Sequence, residues 1–412
     1  MLILYQIVVL IATPLLKVGR FFNQKLKVRW VGEMQSWQAL QKIPPRENRT
    51  CLWFHCASLG EFELTRPLLE TLKKRDSSLW IALTFFSPSG YEVQKNYTHA
   101  DWIGYLPFDQ KRRIKTFLKT LDPDLAFFVK YEFWPNTLQQ LKQASIPTFS
   151  LCGRFYPSQF FFKRYGKWML QLLRNLDGFL VVDQQSEILL QQQGFKKLVR
   201  VGDLRMDRVL HHAQNAQPLP EVAAFLEQKK AFVLGSSWPE DYPLLLPYLL
   251  TKTDCKIIIA PHEVHPKSIA KLKMQLADEP ALWSTFDLAK DRQKRVLILD
   301  TIGLLAQLYQ YAHWAYVGGG MGTKGLHNIL EAVVYGVPVF IGKNYQNFIE
   351  AEDLVEQKGV FSVHNEVQFK AAFEAISPEE YNRIKQINQN YVAKHSGATQ
   401  KSLSFLESFL SS

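Results

Sequence analysis

The sequence predicts two doubly wound α/β domains in tandem, preceded by an apolar N-terminal helix. The chain has 412 residues, more than one ordinary hydrophobic core organises, so two domains of about 150–200 residues are expected. Short apolar runs alternate with amphipathic segments of helical period, a pattern typical of parallel sheets covered by helices. The chain also opens on the apolar stretch MLILYQIVVLIATPLL.

The N-terminal segment has the composition of a membrane anchor. It carries no charged side chain for sixteen residues and then supplies five cations: Lys17, Arg20, Lys25, Lys27 and Arg29. A signal peptide would need basic residues before its apolar stretch and a cleavage site after it. The stretch is slightly short of the roughly 20 residues that span a bilayer, and Pro14 interrupts it. We therefore expect a barely spanning or re-entrant anchor, with the remaining chain on the cytoplasmic side. A buried N-terminal helix is the alternative.

Ten apolar runs are predicted to be strands, five in each domain. They cover 51–57, 79–86, 124–130, 146–152 and 178–183, and then 231–237, 256–262, 295–300, 314–320 and 337–342. Segment 43–49 is interpreted as a turn or linker. Segment 211–222 is polar and contains two prolines, which favours a domain boundary. We divide the chain into an anchor with a basic segment (1–42), a first domain (43–212), a second domain (213–395) and a closing helix (396–412).

Composition and charge narrow the class of protein. A hydrophobic content of 47% with 21% charged residues excludes a disordered chain. The formal net charge of +11 predicts an anionic partner, such as nucleic acid, an acidic membrane face or a phosphorylated substrate. The four cysteines have no CxxC or metal-ligand spacing, which favours free thiols in a reducing cytosol.

The stretch HCASLGEFE (55–63) places a carboxylate just past Gly60 at a strand-to-helix corner. Ser58-x-x-Glu61 fits a capping box, in which each side chain satisfies a backbone N–H at the helix start. Glu61 could also do acid–base chemistry, and the two roles are compatible. The helix N-terminus is expected to keep Glu61 ionised. Glu63 is expected to be a solvated or packing residue.

The stretch YVGGGMGTKGLHNILEAVVYG (316–336) places glycines between a strand and a helix expected to begin near Asn328. Glycines there let backbone N–H groups approach an anion at a helix start, which favours an anion or nucleotide site over a merely flexible loop. The pattern matches neither GxGxxG nor the P-loop. Asn328-x-x-Glu331 is a further possible cap, and Glu331 could accept bonds from two ribose hydroxyls.

Polar side chains also follow the first two strands of the second domain. They are Ser236, Ser237, His262 and His265. Because the carboxyl ends of parallel strands share one sheet edge, these residues should lie together. As metal ligands the two histidines are a weak case, since no third partner is near in sequence. Donation to a phosphate or a nucleobase is favoured, and a structural histidine is the alternative.

Basic and aromatic residues are interleaved in LCGRFYPSQFFFKRYGKW (151–168), which contains Arg154, Lys163 and Arg164. Together with the N-terminal anchor this favours a patch that faces a membrane. Single-stranded nucleic acid is the rival partner, because aromatics beside cations also suit stacked bases. Asp122-Pro123-Asp124 imitates a metal-binding DxD, but a turn is at least as well supported.

Six segments taken together resemble the 3-deoxy-D-manno-octulosonic acid (Kdo) transferases of bacterial lipopolysaccharide biosynthesis. In order they are HCASLGEFELTRPLL, KYEFWPN, VGDLRMDRV, LGSSWPED, LDTIGLL and YVGGGMGTKGLHNILEAVVYGVPVFIGKNYQNF. The resemblance runs from about residue 50 to residue 350 and includes the N-terminal anchor. It implies a GT-B fold, in which two Rossmann-like domains face a cleft.

The resemblance also implies an activity and a set of partners. It implies an inverting, metal-independent glycosyltransferase without a cofactor, which moves Kdo from CMP-Kdo to a lipid A precursor. The location implied is the cytoplasmic face of the inner membrane, with no nucleic acid partner. Another GT-B enzyme using a UDP-sugar on a lipid acceptor is the alternative. A non-catalytic basic adaptor is a third hypothesis, disfavoured by the glycine-lined strand ends.

Site residues follow from the resemblance by position. Glu61 matches the general base, and Glu132 in KYEFWPN resembles a second active-site carboxylate on the acceptor side. The acceptor is expected at Ser58, Gly60, Arg154, Lys163 and Arg164. The donor nucleotide is expected at Ser236, Ser237, His262, Gly319, Gly320, Gly322, Gly325, His327, Asn328 and Glu331. The resemblance implies no metal ligands.

Overall fold

The computed structural model describes residues 1–44, 46, 49–276 and 278–410. The chain divides into two compact units. Unit 1 comprises Met1–Asp207 with Gly397–Ser412, and unit 2 comprises Arg208–Ser396. The predicted linker 43–49 falls partly outside the described residues, because Pro45, Glu47 and Asn48 are not among them.

Unit 1 contains a parallel sheet that is seven-stranded in the described part of the chain. Its strands are β1 (Cys51–Cys56), β2 (Trp80–Phe85), β3 (Trp102–Tyr105), β4 (Leu125–Val129), β5 (Thr148–Gly153), β6 (Gly178–Val181) and β7 (Leu198–Arg200). They pair in the order β3-β2-β1-β4-β5-β6-β7, each pair parallel. The five strands predicted here are confirmed. The two that were not predicted, β3 and β7, are the short edge strands.

Helices alternate with the strands of unit 1. They are α1 (Leu2–Gly19), α2 (Gln24–Gln41), α3 (Leu59–Arg75), α4 (Pro88–Gln94), α5 (Lys111–Leu121), α6 (Pro135–Gln143), α7 (Lys167–Leu173), α8 (Gln184–Gln192) and α9 (Leu204–Gln214), which continues past Asp207 into unit 2. On one face Trp53 meets Phe128 edge-on, with ring centroids 5.4 Å apart, and on the other Phe54 stacks on Phe127 at 4.6 Å. Neighbouring side chains of a strand enter opposite cores, so the buried strands are apolar throughout.

Unit 2 repeats the architecture, again with seven strands among the described residues. They are β8 (Lys230–Ser237), β9 (Cys255–Pro261), β10 (Ala281–Leu282), β11 (Val296–Ile298), β12 (Trp314–Val317), β13 (Val339–Ile341) and β14 (Val360–Ser362). Their order is β10-β11-β9-β8-β12-β13-β14, all pairs parallel. The five predicted strands are confirmed, and the edge strands β10 and β14 are additional. The predicted class, two tandem doubly wound α/β domains, is therefore present.

The helices of unit 2 include several short ones near its strand ends. They are α10 (Pro220–Leu226), α11 (Tyr242–Leu249), α12 (Pro266–Lys273), α13 (Leu288–Asp291), α14 (Leu305–Leu308), α15 (Leu330–Val333), α16 (Ile349–Glu356), α17 (Glu366–Glu374) and α18 (Pro378–His395).

The last helix, α19 (Ala398–Leu410), belongs to unit 1. The carboxylate of Asp207 accepts the backbone N–H groups of Gly397 at 2.6 Å and of Thr399 at 2.5 Å. Farther along, Phe409 meets Phe149 of β5 edge-on, with ring centroids 4.8 Å apart. The chain thus returns to its first sheet after completing the second.

The apolar helix α1 is long and apolar enough to cross a membrane, judged by length and composition. Pro14 lies inside α1, so the predicted interruption is wrong. A proline removes only one backbone hydrogen bond, and the turns on either side hold the helix together. Within the described residues none of the α1 side chains is buried, so the alternative of a buried N-terminal helix is also wrong.

Candidate functional site

Each sheet has a switch point, where the strand order reverses, and ligands of open α/β sheets bind beside the carboxyl ends of the strands there. In unit 1 the switch point lies between β1 and β4. Glu61 follows β1, and Glu132 follows β4. The structure therefore brings the two predicted carboxylates to neighbouring strand ends.

Glu61 is half-buried in the first turn of α3. Its Oε2 atom accepts the backbone N–H of Ala57 at 2.5 Å. Ser58 is the N-cap residue, but among the described residues its hydroxyl makes no cap hydrogen bond. The predicted capping box is therefore wrong in both halves, because it would also require Glu61 to accept the N–H of Ser58. The carboxylate reaches past the N-cap to Ala57, the residue that directly follows β1.

The pKa of Glu61 is raised towards neutral pH. Burial raises the pKa of Glu61 to about 7, and the negative charge of Glu132 acts in the same direction. The bond from the Ala57 N–H and the charge of Lys130 oppose this rise without offsetting it. The prediction that the helix N-terminus keeps Glu61 ionised is thus wrong near pH 7, because desolvation outweighs it. A carboxyl group with this pKa can accept a proton at physiological pH.

Glu132 is held by the indole of Trp134. Trp134 Nε1 donates to its Oε2 at 3.1 Å, and the Trp134 ring stacks on Phe86 with centroids 4.9 Å apart. His55 Nε2 lies 3.9 Å from the same carboxylate oxygen, while His55 Nδ1 lies 2.9 Å from the Thr84 hydroxyl. Burial lowers the pKa of His55, so its ring is neutral at pH 7. The site thus combines two carboxylates with a neutral imidazole.

The cations predicted for the acceptor side differ in position. Arg154 directly follows β5 and forms an ion pair with Asp183, with Nε 3.0 Å from Oδ2. Lys163 and Arg164 are exposed and lie at the short 3-10 turns Phe160–Phe162 and Arg164–Gly166. The structure thus places Arg154 at the strand-end edge and the other two farther along the chain, on the surface.

The Asp122-Pro123-Asp124 segment is a turn. Asp122 ends α5 in the left-handed conformation (φ 47°), and Asp124 Oδ2 accepts the backbone N–H of Cys51 at 2.6 Å. Among the described residues, no group of three or more His, Cys, Asp or Glu side chains is arranged to hold a metal ion.

In unit 2 the switch point lies between β8 and β12, and the predicted glycine loop follows β12. Gly319 and Gly325 have φ values of 92° and 90°, which favour glycine. A Cβ atom on Gly319 would overlap the carbonyl oxygen of Gly325, so the loop folds tightly on itself. Gly320 is pressed against Gly342 after β13, whereas Gly322 lies in more open surroundings.

The helix after this loop, α15, is short. It begins at Leu330 rather than near Asn328 and has four residues, so its dipole adds little to anion binding. Asn328 Oδ1 accepts the Leu330 N–H at 3.2 Å, and Asn328 Nδ2 donates to Glu331 Oε1 at 3.4 Å. The predicted pairing of Asn328 with Glu331 is confirmed. The predicted cap is wrong, because Ile329 is the N-cap residue of α15 and makes no side-chain cap hydrogen bond. The ribose contact stays a prediction.

Three aromatic rings form a stack at the strand ends of unit 2. The His262 ring lies 4.4 Å from Trp238 and 4.6 Å from His327, centroid to centroid, with interplanar angles of 21° and 30°. Trp238 Nε1 donates to His327 Nε2 at 3.2 Å. Burial and the charge of His262 lower the pKa of His327, which keeps its Nε2 an acceptor at pH 7. The stack offers a flat surface beside the glycine loop.

Three further polar residues were predicted at this edge of the sheet: Ser236, Ser237 and His265. Ser236 has a left-handed backbone (φ 49°) at the end of β8. The Ser237 hydroxyl is buried and lies 3.3 Å from the Tyr242 hydroxyl. His265 is the N-cap of α12 and accepts the Lys267 N–H at 3.2 Å, which is the structural role.

The sequence did not single out His55, Trp238 or Asp241. The buried Asp241 carboxylate accepts the Trp238 N–H at 2.8 Å and the Tyr316 hydroxyl at 2.6 Å, and so supports the stack. His55 stands within an apolar strand, where a histidine is usually structural. The available signals were the positions of His55 and Trp238 at the carboxyl ends of β1 and β8 and that of Asp241 just before α11.

Comparisons with known proteins agree with these observations. The sequence model of the 3-deoxy-D-manno-octulosonic-acid transferase (Kdo transferase) family matches residues 34–208. A 3-deoxy-D-manno-octulosonic acid transferase of Haemophilus influenzae is 26% identical over 395 residues, covering 89% of this chain and 88% of that protein. A bifunctional glycosyltransferase/methyltransferase of Fusobacterium nucleatum is 26% identical over 366 residues, covering 84% of this chain. This chain spans only 56% of that relative's length.

Solved structures share the fold. The UDP-GlcNAc 2-epimerase of Neisseria meningitidis, bound to UDP-GlcNAc, superposes with a TM-score of 0.61 at 13% sequence identity. The match covers 87% of this chain and 100% of that one. Together with the two parallel sheets, it confirms the predicted GT-B fold class.

Proposed function

Because residues 34–208 match the Kdo transferase family model and a relative of similar length is a 3-deoxy-D-manno-octulosonic acid transferase, we propose that the chain transfers Kdo from CMP-Kdo to a phosphorylated, acylated disaccharide precursor of lipid A. The observation that carries the chemistry is the carboxylate pair at the switch point of unit 1. Glu61 has a pKa of about 7 there, and Glu132 lies on the neighbouring strand end. A hydroxyl acceptor needs a base with such a pKa.

Glu61 acts as the general base in this proposal. Its ionised carboxylate takes the proton of the acceptor hydroxyl while the hydroxyl oxygen bonds to the anomeric carbon of Kdo. The bond between that carbon and the phosphate oxygen of CMP breaks, and its electron pair leaves with CMP. The anomeric carbon has oxocarbenium character at the transition state. A single displacement with the base opposite the leaving group inverts the configuration.

Glu132 and the first turn of α3 serve the acceptor side. The Glu132 carboxylate, fixed by Trp134, can orient the sugar or stabilise the positive charge that develops at the anomeric carbon. The Ser58 hydroxyl and the backbone at Gly60 lie at the start of the same helix as Glu61. Arg154 offers a cation to acceptor phosphate groups if it exchanges its ion pair with Asp183.

Unit 2 binds the donor. The loop of Gly319, Gly320, Gly322 and Gly325 presents backbone to the phosphate, with Ser236 and Ser237 beside it. Asn328 and Glu331 receive the ribose, and the stack of His262 and His327 with Trp238 faces the base or the phosphate. The tight turns at positive φ and the ring stack support this assignment.

The membrane provides the acceptor. Helix α1 exposes an apolar surface, and cations follow it in the sequence, which suits the cytoplasmic face of a bacterial inner membrane. The exposed Lys163 and Arg164 would add to the attraction for anionic lipid.

The test is product mass. The purified full chain is incubated with a tetra-acylated lipid A precursor and, in separate reactions, CMP-Kdo or UDP-GlcNAc. We expect an acceptor mass increase of one or more Kdo residues, with CMP-Kdo as donor only. A product formed with the UDP-sugar alone would support the alternative GT-B activity. No product with either donor, together with salt-sensitive binding to anionic vesicles, would support the adaptor hypothesis.

A further inference from the structure

A buried carboxylate connects the apolar helix α1 to the loop that carries Glu132. Asp109 follows β3 and is 3% exposed. Its Oδ1 accepts the N–H and the hydroxyl of Thr137, at 2.8 and 2.6 Å. Its Oδ2 accepts the Asn136 N–H at 2.8 Å and the Tyr5 hydroxyl at 2.8 Å. Each oxygen therefore has two donors, and one of the four comes from α1.

The same carboxylate caps the helix that begins next to Glu132. Asn136 and Thr137 form the first turn of α6, whose leading N–H groups need external acceptors. Trp134 is the N-cap residue of α6, and its indole N–H holds Glu132. The path from Asp109 to Glu132 thus runs through two backbone N–H groups, a helix start and one indole.

Helix α1 meets this network with a polar pair near its N-terminus. Besides the Tyr5 hydroxyl, Gln6 Nε2 donates to Asn136 Oδ1 at 3.1 Å, and the Tyr5 ring lies 6.2 Å from that of Trp168. Both α1 residues are half-buried, while Ile3, Leu4, Ile7, Val8, Leu10, Ile11, Leu15 and Val18 are exposed. One face of α1 therefore lies against the rest of unit 1, and the other face exposes apolar side chains.

We propose that Tyr5 is a positioning residue for the transfer reaction, which couples the seating of α1 on unit 1 to the placement of the Glu132 carboxylate. The inference rests on the proposed role of Glu132. When Tyr5 donates, Asp109 is fully satisfied and the start of α6 is fixed. Without that hydroxyl, one oxygen of a buried carboxylate loses a donor, and the loop relaxes towards other arrangements. The exposed apolar helix α1 is thereby linked to turnover.

The test compares Tyr5→Phe with Thr13→Val in the full chain, reconstituted in vesicles of phosphatidylethanolamine and phosphatidylglycerol. Both changes remove one hydroxyl from α1, but the Thr13 hydroxyl donates within the helix, to the Val9 carbonyl at 2.7 Å. We expect kcat of Tyr5→Phe to fall roughly tenfold or more, as for a lost hydrogen bond to a carboxylate. The KM for CMP-Kdo and the vesicle-bound fraction should stay at wild-type values. Thr13→Val should match the wild type throughout.

A double-mutant cycle separates positioning from general destabilisation. Trp134→Phe removes the indole N–H that holds Glu132, so Tyr5→Phe should add little to the loss it causes. The proposal would be overturned if the loss of kcat in the double variant equalled the product of the two single losses, or if Tyr5→Phe had the wild-type kcat. The Glu132→Gln variant distinguishes a failure of the positioning role of Tyr5 from a failure of the proposed role of Glu132. If Glu132→Gln is inactive while Tyr5→Phe is normal, positioning alone fails. If Glu132→Gln turns over normally, the proposed role of Glu132 fails and positioning fails with it.

Discussion

The Nε2 atom of His55 lies 3.9 Å from Oε2 of Glu132, and the imidazole is fully buried at the end of β1. Burial holds the pKa of His55 below its ordinary value, so the ring is neutral at pH 7 and carries no charge to offset Glu132. The charge of Glu132 therefore remains a cause of the raised pKa of Glu61. The neutral histidine thus helps to keep Glu61 basic.

This arrangement predicts the pH dependence of turnover. We expect kcat/KM to rise with pH through an apparent pKa of about 7, because Glu61 accepts a proton only after losing its own. Glu132→Gln removes the neighbouring negative charge, so the same limb should move to lower pH, even though the maximal rate also falls. The measurement is the rate of CMP release between about pH 5 and pH 9. A limb that does not move in Glu132→Gln would show that the two carboxylates are not coupled.

Acid stability should depend on His55. Its pKa in the folded chain is lower than its ordinary value of 6.5, so the unfolded chain binds the proton more tightly. The stability linked to His55 is present above pH 6.5 and is lost as the pH falls towards the folded-state pKa. His55→Asn, which can keep the bond to Thr84, should therefore show a smaller fall in Tm from about pH 7 to pH 5. The exposed His99 provides the control, and an equal effect of His99→Asn would refute the account.

The glycine loop should tolerate no side chain at Gly319. Gly319→Ala combines a left-handed backbone with an overlap on the Gly325 carbonyl, and local strain of this kind costs about 1–3 kcal/mol. We expect the KM for CMP-Kdo to rise roughly tenfold or more, since 1.4 kcal/mol is a factor of ten. Gly194→Ala in unit 1 is the control, because φ is 81° there but the nearest atoms to a Cβ lie 3.5 Å away. It should lower Tm without changing KM, and an unchanged KM for Gly319→Ala would separate the loop from the donor.

The ring stack of unit 2 should contribute to donor affinity. Trp238→Ala removes both the ring beside His262 and the donor to His327. A loss of about tenfold in CMP affinity is expected, because stacking on an aromatic ring contributes about 1–3 kcal/mol per base. Trp238→Phe keeps a ring and should lose less. Calorimetric titration with CMP measures both, and Trp283→Ala, elsewhere in unit 2, should bind like the wild type. Equal losses at positions 238 and 283 would indicate general damage instead.

The strands that border the switch points were predictable from sequence, because they are buried on both faces and therefore apolar throughout. The edge strands were not, since Leu198–Arg200 is partly exposed and Ala281–Leu282 has only two residues. Such strands are set by their neighbours rather than by their own pattern. The start of α15 was predicted near Asn328 and lies at Leu330, because the Asn-x-x-Glu pattern indicates a helix start without fixing which residue is the N-cap.

The sequence predicted which residues form the site better than it predicted their hydrogen bonds and pKa values. Glu61 and Glu132 were predicted as site residues because each follows the end of a strand. The pKa of Glu61, however, depends on burial and on the charge of Glu132, which lies far away in the sequence. The missing Ser58 cap and the role of His55 likewise depend on distances that arise only in the folded chain.

The most direct test of the account compares Glu61→Gln with Glu63→Gln. The glutamine side chain of the first variant can still accept the Ala57 N–H and should keep the fold, whereas it cannot take a proton. Glu63 lies in the same helix and pairs with Arg66, with Oε1 3.5 Å from the guanidinium. Each variant is incubated with CMP-Kdo and the lipid A precursor, and the product is quantified by mass. We predict a loss of about a hundredfold or more for Glu61→Gln, as for a removed general base, and near-normal turnover for Glu63→Gln. A folded Glu61→Gln variant that turns over at the wild-type rate would contradict the account.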